Sequence, residues 1–522
     1  MANHAGAPPD TAPASVPSPQ ALPEKPSDAR RRSYIILSFW VLVILLGLPV
    51  WWRTTSIYRA DLPLSEMMDW ADGKACNPVF PLQIAVEADA LQEEEAQSLV
   101  QLTQRALDDL NDFPAHQLHL RLAHKRGTDD TPLDPDSALT VRLVPGDTMT
   151  TTLDPHLPVL KVAYPPSSFS SDTSASPLAT FIASELHSTF DEERAILSYL
   201  LTPTNTTLPP ETVASLEKRT TRAFRYADTY HLTFSLFAAG PVPNTWDIES
   251  AINAHVKPVL DVLSPIHNFT IDTQVQLYAQ PGVQSDVLSK DDLAYFINTA
   301  EWPLSPSIGG APTVNFILYI GNQTVSVSET ETSQSWLIPQ WGAVYILPLE
   351  PTPHMSADIL KQPLLTFASH LLSLLGTPEK GTLPLRLSTL SRTRSADLLL
   401  RASSTLGALA RLSLNLPSIS IPRSVADGVT KSLHHLSHAC ADLASPSALQ
   451  HARVAESEAE RSFFEKSMVG QLYFPDEHKV AVYLPLLGPV GVPLVMGVIR
   501  EVRGWLKRRK ERTEAGKEKK ET

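Results

Sequence analysis

The sequence predicts an α/β membrane protein: two transmembrane helices flank a large domain in which helices cover a mixed sheet, and a helical bundle follows. Three observations predict it. Two runs of twenty residues, 33–52 and 480–499, carry no charge, and at about 1.5 Å per residue each makes about 30 Å of helix, one hydrocarbon core. Between residues 82 and 347 strand-like alternation is interleaved with helical spacing. From His354 onward only helical spacing remains. Composition agrees, since 43% hydrophobic and 19% charged residues in a chain of 522 leave ample material for a core.

The first apolar run follows Arg30, Arg31 and Arg32, and Tyr34, Trp51 and Trp52 stand at its ends where interfacial aromatics belong. It is too long and begins too late for a cleaved signal peptide. The second run is followed by Arg500, Arg503, Lys507, Arg508, Arg509, Lys510 and Arg512. Basic residues on both outer flanks predict a hairpin topology with both ends cytoplasmic and everything between on the far side. The chain then divides into a disordered cytoplasmic tail (1–32), a first transmembrane helix (33–52), a lumenal α/β domain (53–353), a lumenal helical bundle (354–479), a second transmembrane helix (480–499) and a basic cytoplasmic tail (500–522).

Compartment follows from small signals. Asn205, Asn268 and Asn322 open Asn-x-Thr sequons, all within the segment between the helices. Lys519 and Lys520 occupy the fourth and third positions from the C-terminus, the arrangement of a retrieval signal on a cytosolic tail, which a solvated charge run also produces. Together they predict the endoplasmic-reticulum membrane with a large lumenal loop. In that compartment Cys76 and Cys440, the two cysteines of the chain, are candidates for a disulfide.

Strands are predicted at 82–86, 117–123, 140–144, 159–163, 230–237, 270–279, 313–320 and 344–347, and helices at 93–110, 178–201, 246–263 and 291–302. The opening strand, helix and strand form a β-α-β rhythm. Four bundle helices follow at 357–375, 385–414, 424–443 and 447–468, with prolines at 417, 422 and 446 marking the joins.

A net charge of −13 has the wrong sign for neutralising phosphates, so nucleic-acid binding is disfavoured. Two cysteines exclude a four-thiolate zinc site or an iron–sulfur cluster. The chain has no nucleophile elbow, phosphate loop, dinucleotide turn or His-Glu-x-x-His helix. His434 and His438, one helical turn apart, lack a third ligand at a telling spacing and read as exposed bundle histidines. His438 and Cys440, two residues apart on a helix, point away from each other, which argues against a nucleophile–base pair. Glu93, Glu94 and Glu95 open a helix, where negative charge complements the macrodipole. No catalytic, cofactor or metal site is assigned.

The second apolar run is the most unusual segment. Pro485, Pro489 and Pro493 recur every four residues with Gly488, Gly491 and Gly497 beside them. Each proline removes a backbone donor and each glycine permits close approach, so Pro485, Gly488, Pro489 and Pro493 read as a surface that packs on partner helices, a merely kinked span being the alternative.

The stretch Thr54-Thr55-Ser56-Ile57-Tyr58-Arg59-Ala60-Asp61-Leu62-Pro63 and the approach Leu472-Tyr473-Phe474-Pro475-Asp476-Glu477 to the proline-rich run resemble the PIG-S subunits of the glycosylphosphatidylinositol (GPI) transamidase. Trp341-Gly342-Ala343-Val344 and Ser404-Thr405-Leu406-Gly407-Ala408-Leu409-Ala410 are similar to that family too, and the likeness is best over 33–70 and 335–500. The resemblance implies a non-catalytic subunit that helps assemble the complex and position precursor proteins for attachment of a GPI anchor. It implies as partners a caspase-like catalytic subunit, which carries the family's cysteine and histidine, multispanning membrane subunits, and membrane lipid including the GPI glycolipid. A membrane-tethered lumenal hydrolase and a cargo or trafficking receptor are the alternatives the residues leave open.

Overall fold

The computed structural model describes residues 25–55, 58–123, 136–166, 176–202, 210–298, 302, 304, 310–328, 330–417, 419–468 and 476–521. The chain forms two compact units. The larger comprises Asp61–Asn415 and Arg423–Phe464, and the smaller comprises Met1–Ala60, Leu416–Pro422 and Glu465–Thr522.

The larger unit holds two five-stranded sheets where the sequence predicts a single mixed one. In the first, strands lie in the order His116–Leu122, Phe80–Glu87, Leu139–Pro145, Val159–Tyr164, Thr150–Leu153. All pair in parallel except the last, with Ile84 opposite Leu120 on one side and Leu139 on the other. The helix Glu93–Leu110 makes the crossover between the first two strands of the chain, which parallel pairing requires. Its N-terminus is closed by the Gln92 backbone amide donating to the Glu95 carboxylate at 3.1 Å, a structural use for one of the three acids. Leu99 and Leu107 of this helix, with Leu178, Ile182 and Leu186, cover Ile84, Val141 and Val162 in one core.

The second sheet runs Ser335–Ile338, Gly342–Leu347, Thr313–Ile320, Thr229–Ala238, Asn268–Gln276. Again the strands are parallel except one edge, Ser335–Ile338. The two central strands, TYHLTFSLFA and TVNFILYI, are buried along nearly their whole length. Continuous apolar runs of this kind are what a parallel sheet covered on both faces demands. Trp302 stacks on Phe237 at 4.6 Å between ring centroids on one side, and Phe316 meets Phe367 of the helix Ala357–Leu374 at 5.0 Å.

Differences from the sequence reading have local causes. Thr150–Leu153 is polar and half exposed, so it has no alternating apolar signal although it closes a sheet edge. The expected helix at 178–201 is two helices, Pro177–Thr189 and Asp191–Leu201, because three consecutive acids restart a helix after Phe190. That at 246–263 divides at Val256, before Pro258 in the first turn of Lys257–Leu263. The expected helix at 291–302 is reduced to Leu293–Phe296, part of the remainder lying outside the described residues.

Four further helices, Ala357–Leu374, Leu383–Asn415, Arg423–Ala441 and Pro446–Phe463, run close to the predicted bounds. Pro446–Phe463 packs against both of the two before it. Two glycines fix close approaches. A Cβ on Gly407 would stand 2.3 Å from the Ala71 side chain, so the helix Leu64–Ala71, which the sequence reading missed, lies directly on Leu383–Asn415. Gly342 adopts φ +155°, and a Cβ there would meet the Asn315 carbonyl oxygen of the neighbouring strand at 1.8 Å.

In the smaller unit the N-terminal helix is continuous from Pro26 to Thr55 through a widened turn at Val43–Gly47. Pro49 explains that turn: it has no amide to offer Leu45 and its ring crowds that carbonyl, strain that a π-turn relieves. The second apolar helix, Asp476–Glu521, runs unbroken through its three prolines and into the basic segment. Both are long and apolar enough to cross a membrane, and the apolar stretch of each is exposed.

Candidate functional site

The two apolar helices meet at the ends that carry their basic flanks. The Glu501 carboxylate accepts from Arg32 Nε at 2.8 Å and from Ser33 Oγ at 2.8 Å. One turn inward, Gly497 lies against Ile36, whose Cδ1 would be 3.5 Å from a Cβ at that glycine. This latch escaped the sequence reading, which counted residues after 499 as a tail. The available signal was one acid, Glu501, beside an apolar run in an otherwise basic stretch.

Pro485, Pro489, Pro493 and Gly497 are spaced by four, and each such step turns about 40° around a helix of 3.6 residues per turn. The stripe that touches the first helix at Gly497 has therefore rotated away from it by Pro485. Gly488 and Gly491 accordingly have nothing within 4 Å of where a Cβ would stand. Each proline leaves the carbonyl four residues earlier, on Ala481, Pro485 and Pro489, without its usual amide donor. Apolar surface, close backbone access and carbonyls short of a donor coincide on a face that no described residue of this chain covers at Gly488 or Gly491.

Beyond the first helix, Arg59 pairs with Ile421 in an isolated bridge. Its guanidinium donates to the carbonyls of Leu416 at 3.1 Å and Pro417 at 2.9 Å. Arg59 belongs to the motif that carries the N-terminal resemblance.

In the larger unit Cys76 and Cys440 are bonded, with Cα atoms 6.2 Å apart, so neither is a free thiol. Asn322 is exposed in the turn between Thr313–Ile320 and Thr324–Ser326. Asn268 is exposed at the first position of an edge strand. Asn205 lies outside the described residues. Lys519 and Lys520 fall in the last turn of the helix Asp476–Glu521.

His434 and His438 are joined by their sequence neighbour His435 and by His451, the one of the four that the sequence reading did not connect. The His434 and His438 rings are 4.5 Å apart, and His451 stacks on His438 at 5.1 Å. Burial, then the neighbouring His451, pushes the His435 imidazole below its usual range. Among the described residues no group of three or more His, Cys, Asp or Glu is placed to hold a metal ion.

Sequence reasoning also missed a buried ion pair. Glu193 accepts from Arg392 Nε at 2.6 Å, from Arg392 Nη2 at 2.7 Å and from Thr389 Oγ1 at 2.6 Å, with His116 Nε2 at 3.8 Å. Burial pushes the Glu193 carboxyl up, but the Arg392 guanidinium outweighs it and holds the group well below the ordinary range. Its role is to tie the helix Asp191–Leu201 to Leu383–Asn415. A cleft at Arg225, Arg401, Arg453, Glu456 and Glu460 also concentrates charge. Burial, then Glu460, pushes the Glu456 carboxyl up to about 7.

The chain is 27% identical over 513 residues to the GPI transamidase component PIG-S homolog of Schizosaccharomyces pombe, covering 93% of this chain and 86% of that one. It is 25% identical over 534 residues to the GPI-anchor transamidase component PIGS of Homo sapiens, covering 89% and 94%. Residues 38–508 match the family described as phosphatidylinositol-glycan biosynthesis class S protein, a match that runs from within the first apolar run to beyond the second, and the chain belongs to this PIG-S family.

Proposed function

We propose that this chain is a non-catalytic subunit of a GPI transamidase in the endoplasmic-reticulum membrane, where it helps assemble the complex and position precursor proteins for anchor attachment. The observation that carries the proposal is family membership over residues 38–508, with relatives named as transamidase components along nearly their full length. Both termini are cytoplasmic and the large unit is lumenal, a topology supported by the basic outer flanks of the two helices. The transamidating nucleophile belongs to a caspase-like partner subunit. The bonded state of Cys76 and Cys440 supports that assignment, because a disulfide sulfur has no thiolate to attack an acyl carbon.

Pro485, Gly488, Pro489 and Pro493 form the face that docks on a multispanning subunit. A partner helix approaching the glycines supplies donors to the carbonyls that the prolines leave free. Purification of the tagged full chain from digitonin-solubilised membranes tests the whole reading. A stable set containing a caspase-like protease and a multispanning protein is expected; a chain recovered alone, or with soluble cargo only, sinks it. Replacing the three prolines by Leu is expected to leave insertion intact and to reduce partner recovery several-fold, and undiminished recovery removes the docking role from this face.

A further inference from the structure

Between the latched ends of the two apolar helices lies a groove of about 570 Å³, within the size range of ligand pockets, roughly 300–1,000 Å³. Ile36, Leu37, Trp40 and Ile44 form one wall, and Val498 and Val502 the other. At its outer end stand Ser33, Glu501, Trp505 and Arg508. We propose that this groove holds one acyl chain of an anionic glycerophospholipid from the leaflet next to the basic flanks, with its phosphate at Arg508. The proposal rests on the membrane-spanning reading of the two helices and goes beyond the subunit assignment.

Three observations select this occupant. The first is length: Ser33 to Ile44 is about 16 Å of helix at 1.5 Å per residue, half of a hydrocarbon core of about 30 Å. The groove thus accommodates one leaflet, whereas a partner helix would follow the full width. The second is amphiphilic layout, with apolar walls at depth and charge only at one end, as in a lipid. The third is the charge balance at that end. Glu501 is engaged by Arg32 and Ser33, while Arg508 stands 3.8 Å from it with its side chain 57% exposed. Arg32 already neutralises Glu501, so the Arg508 guanidinium gives the mouth a net positive charge that favours an anionic headgroup.

The test uses full-length protein, purified in its complex and reconstituted into nanodiscs with phosphatidylserine or phosphatidylcholine bearing a photoactivatable acyl chain. Crosslinks are expected within 33–44 and 498–508, at least several-fold more from phosphatidylserine. Val498→Trp, which fills the groove, is expected to abolish them. Arg508→Glu, at the aqueous end where insertion is not at stake, is expected to erase the preference between the two lipids. Equal labelling by both lipids, labelling indifferent to either substitution, or capture of another subunit's helix at these positions in place of lipid overturns the proposal. Recovery of partner subunits is measured on the same samples. Lost labelling preference with full recovery condemns the groove alone, and retained labelling with no partners condemns the subunit reading alone.

Discussion

Glu193 is 2% exposed and makes its strongest bonds to one guanidinium, so its partner cannot be removed without isolating a buried charge. Arg392→Met should destabilise the protein by about 3–5 kcal/mol, measured by denaturant unfolding of the detergent-solubilised full chain. Adding Glu193→Gln should restore much of the loss, since the desolvated anion is then gone; no recovery in the double variant would refute the ion-pair account. Because its folded pKa is depressed, Glu193 contributes stability above the ordinary 4.5 that is lost as pH falls below it. Glu456 has the opposite sign. Its pKa is raised from 4.5 to about 7 by burial and by Glu460, with Arg401 and Arg225 opposing. The folded state therefore gains from protonated Glu456 below 4.5, and this gain is lost as pH rises through about 7. Glu456→Gln should be more stable than the parent at pH 8 and no different at pH 4.5. Identical melting profiles at both pH values would exclude the shift.

At the scale of elements, close approach and a covalent tie hold the Leu64–Ala71 segment. Gly407 leaves room for Ala71 to touch the backbone of the long bundle helix. Gly407→Leu should push the two helices apart and destabilise by about 1–3 kcal/mol, the cost of overpacking, while Gly407→Ala should cost less; equal effects would mean the contact yields easily. The Cys76–Cys440 bond closes a loop of 364 residues. Replacing both cysteines by Ser should lower stability by about 2–5 kcal/mol, and a reducing agent should shift the melting of the parent but not of the variant. The helix Asp476–Glu521 continues through Pro485, Pro489 and Pro493, although each proline removes one amide donor from its ladder.

For the whole molecule, the proposed lumenal placement of the large unit is open to a direct test. Asn322 and Asn268 are both exposed and separated from the basic flanks by the apolar helices. With the large unit lumenal, Asn268→Gln and Asn322→Gln should each remove one glycosidase-sensitive step in electrophoretic mobility. No mobility change from either variant or from glycosidase treatment would point to the opposite topology. What the amino-acid sequence determined by itself was the set of features written in contiguous residues. These are the two twenty-residue apolar runs, the central strands of the second sheet with their unbroken apolar stretches, the bundle helices, and the motifs of the PIG-S family. Each depends on local periodicity or on the free energy of moving one segment out of water. Only the tertiary structure decided that the strands divide between two sheets, that polar Thr150–Leu153 completes an edge, and that Glu193 meets Arg392 and Glu501 meets Arg32. Those pairings join residues as many as 469 positions apart. A strand's choice of neighbour and a carboxylate's choice of cation arise from packing of surfaces that no single stretch of sequence contains.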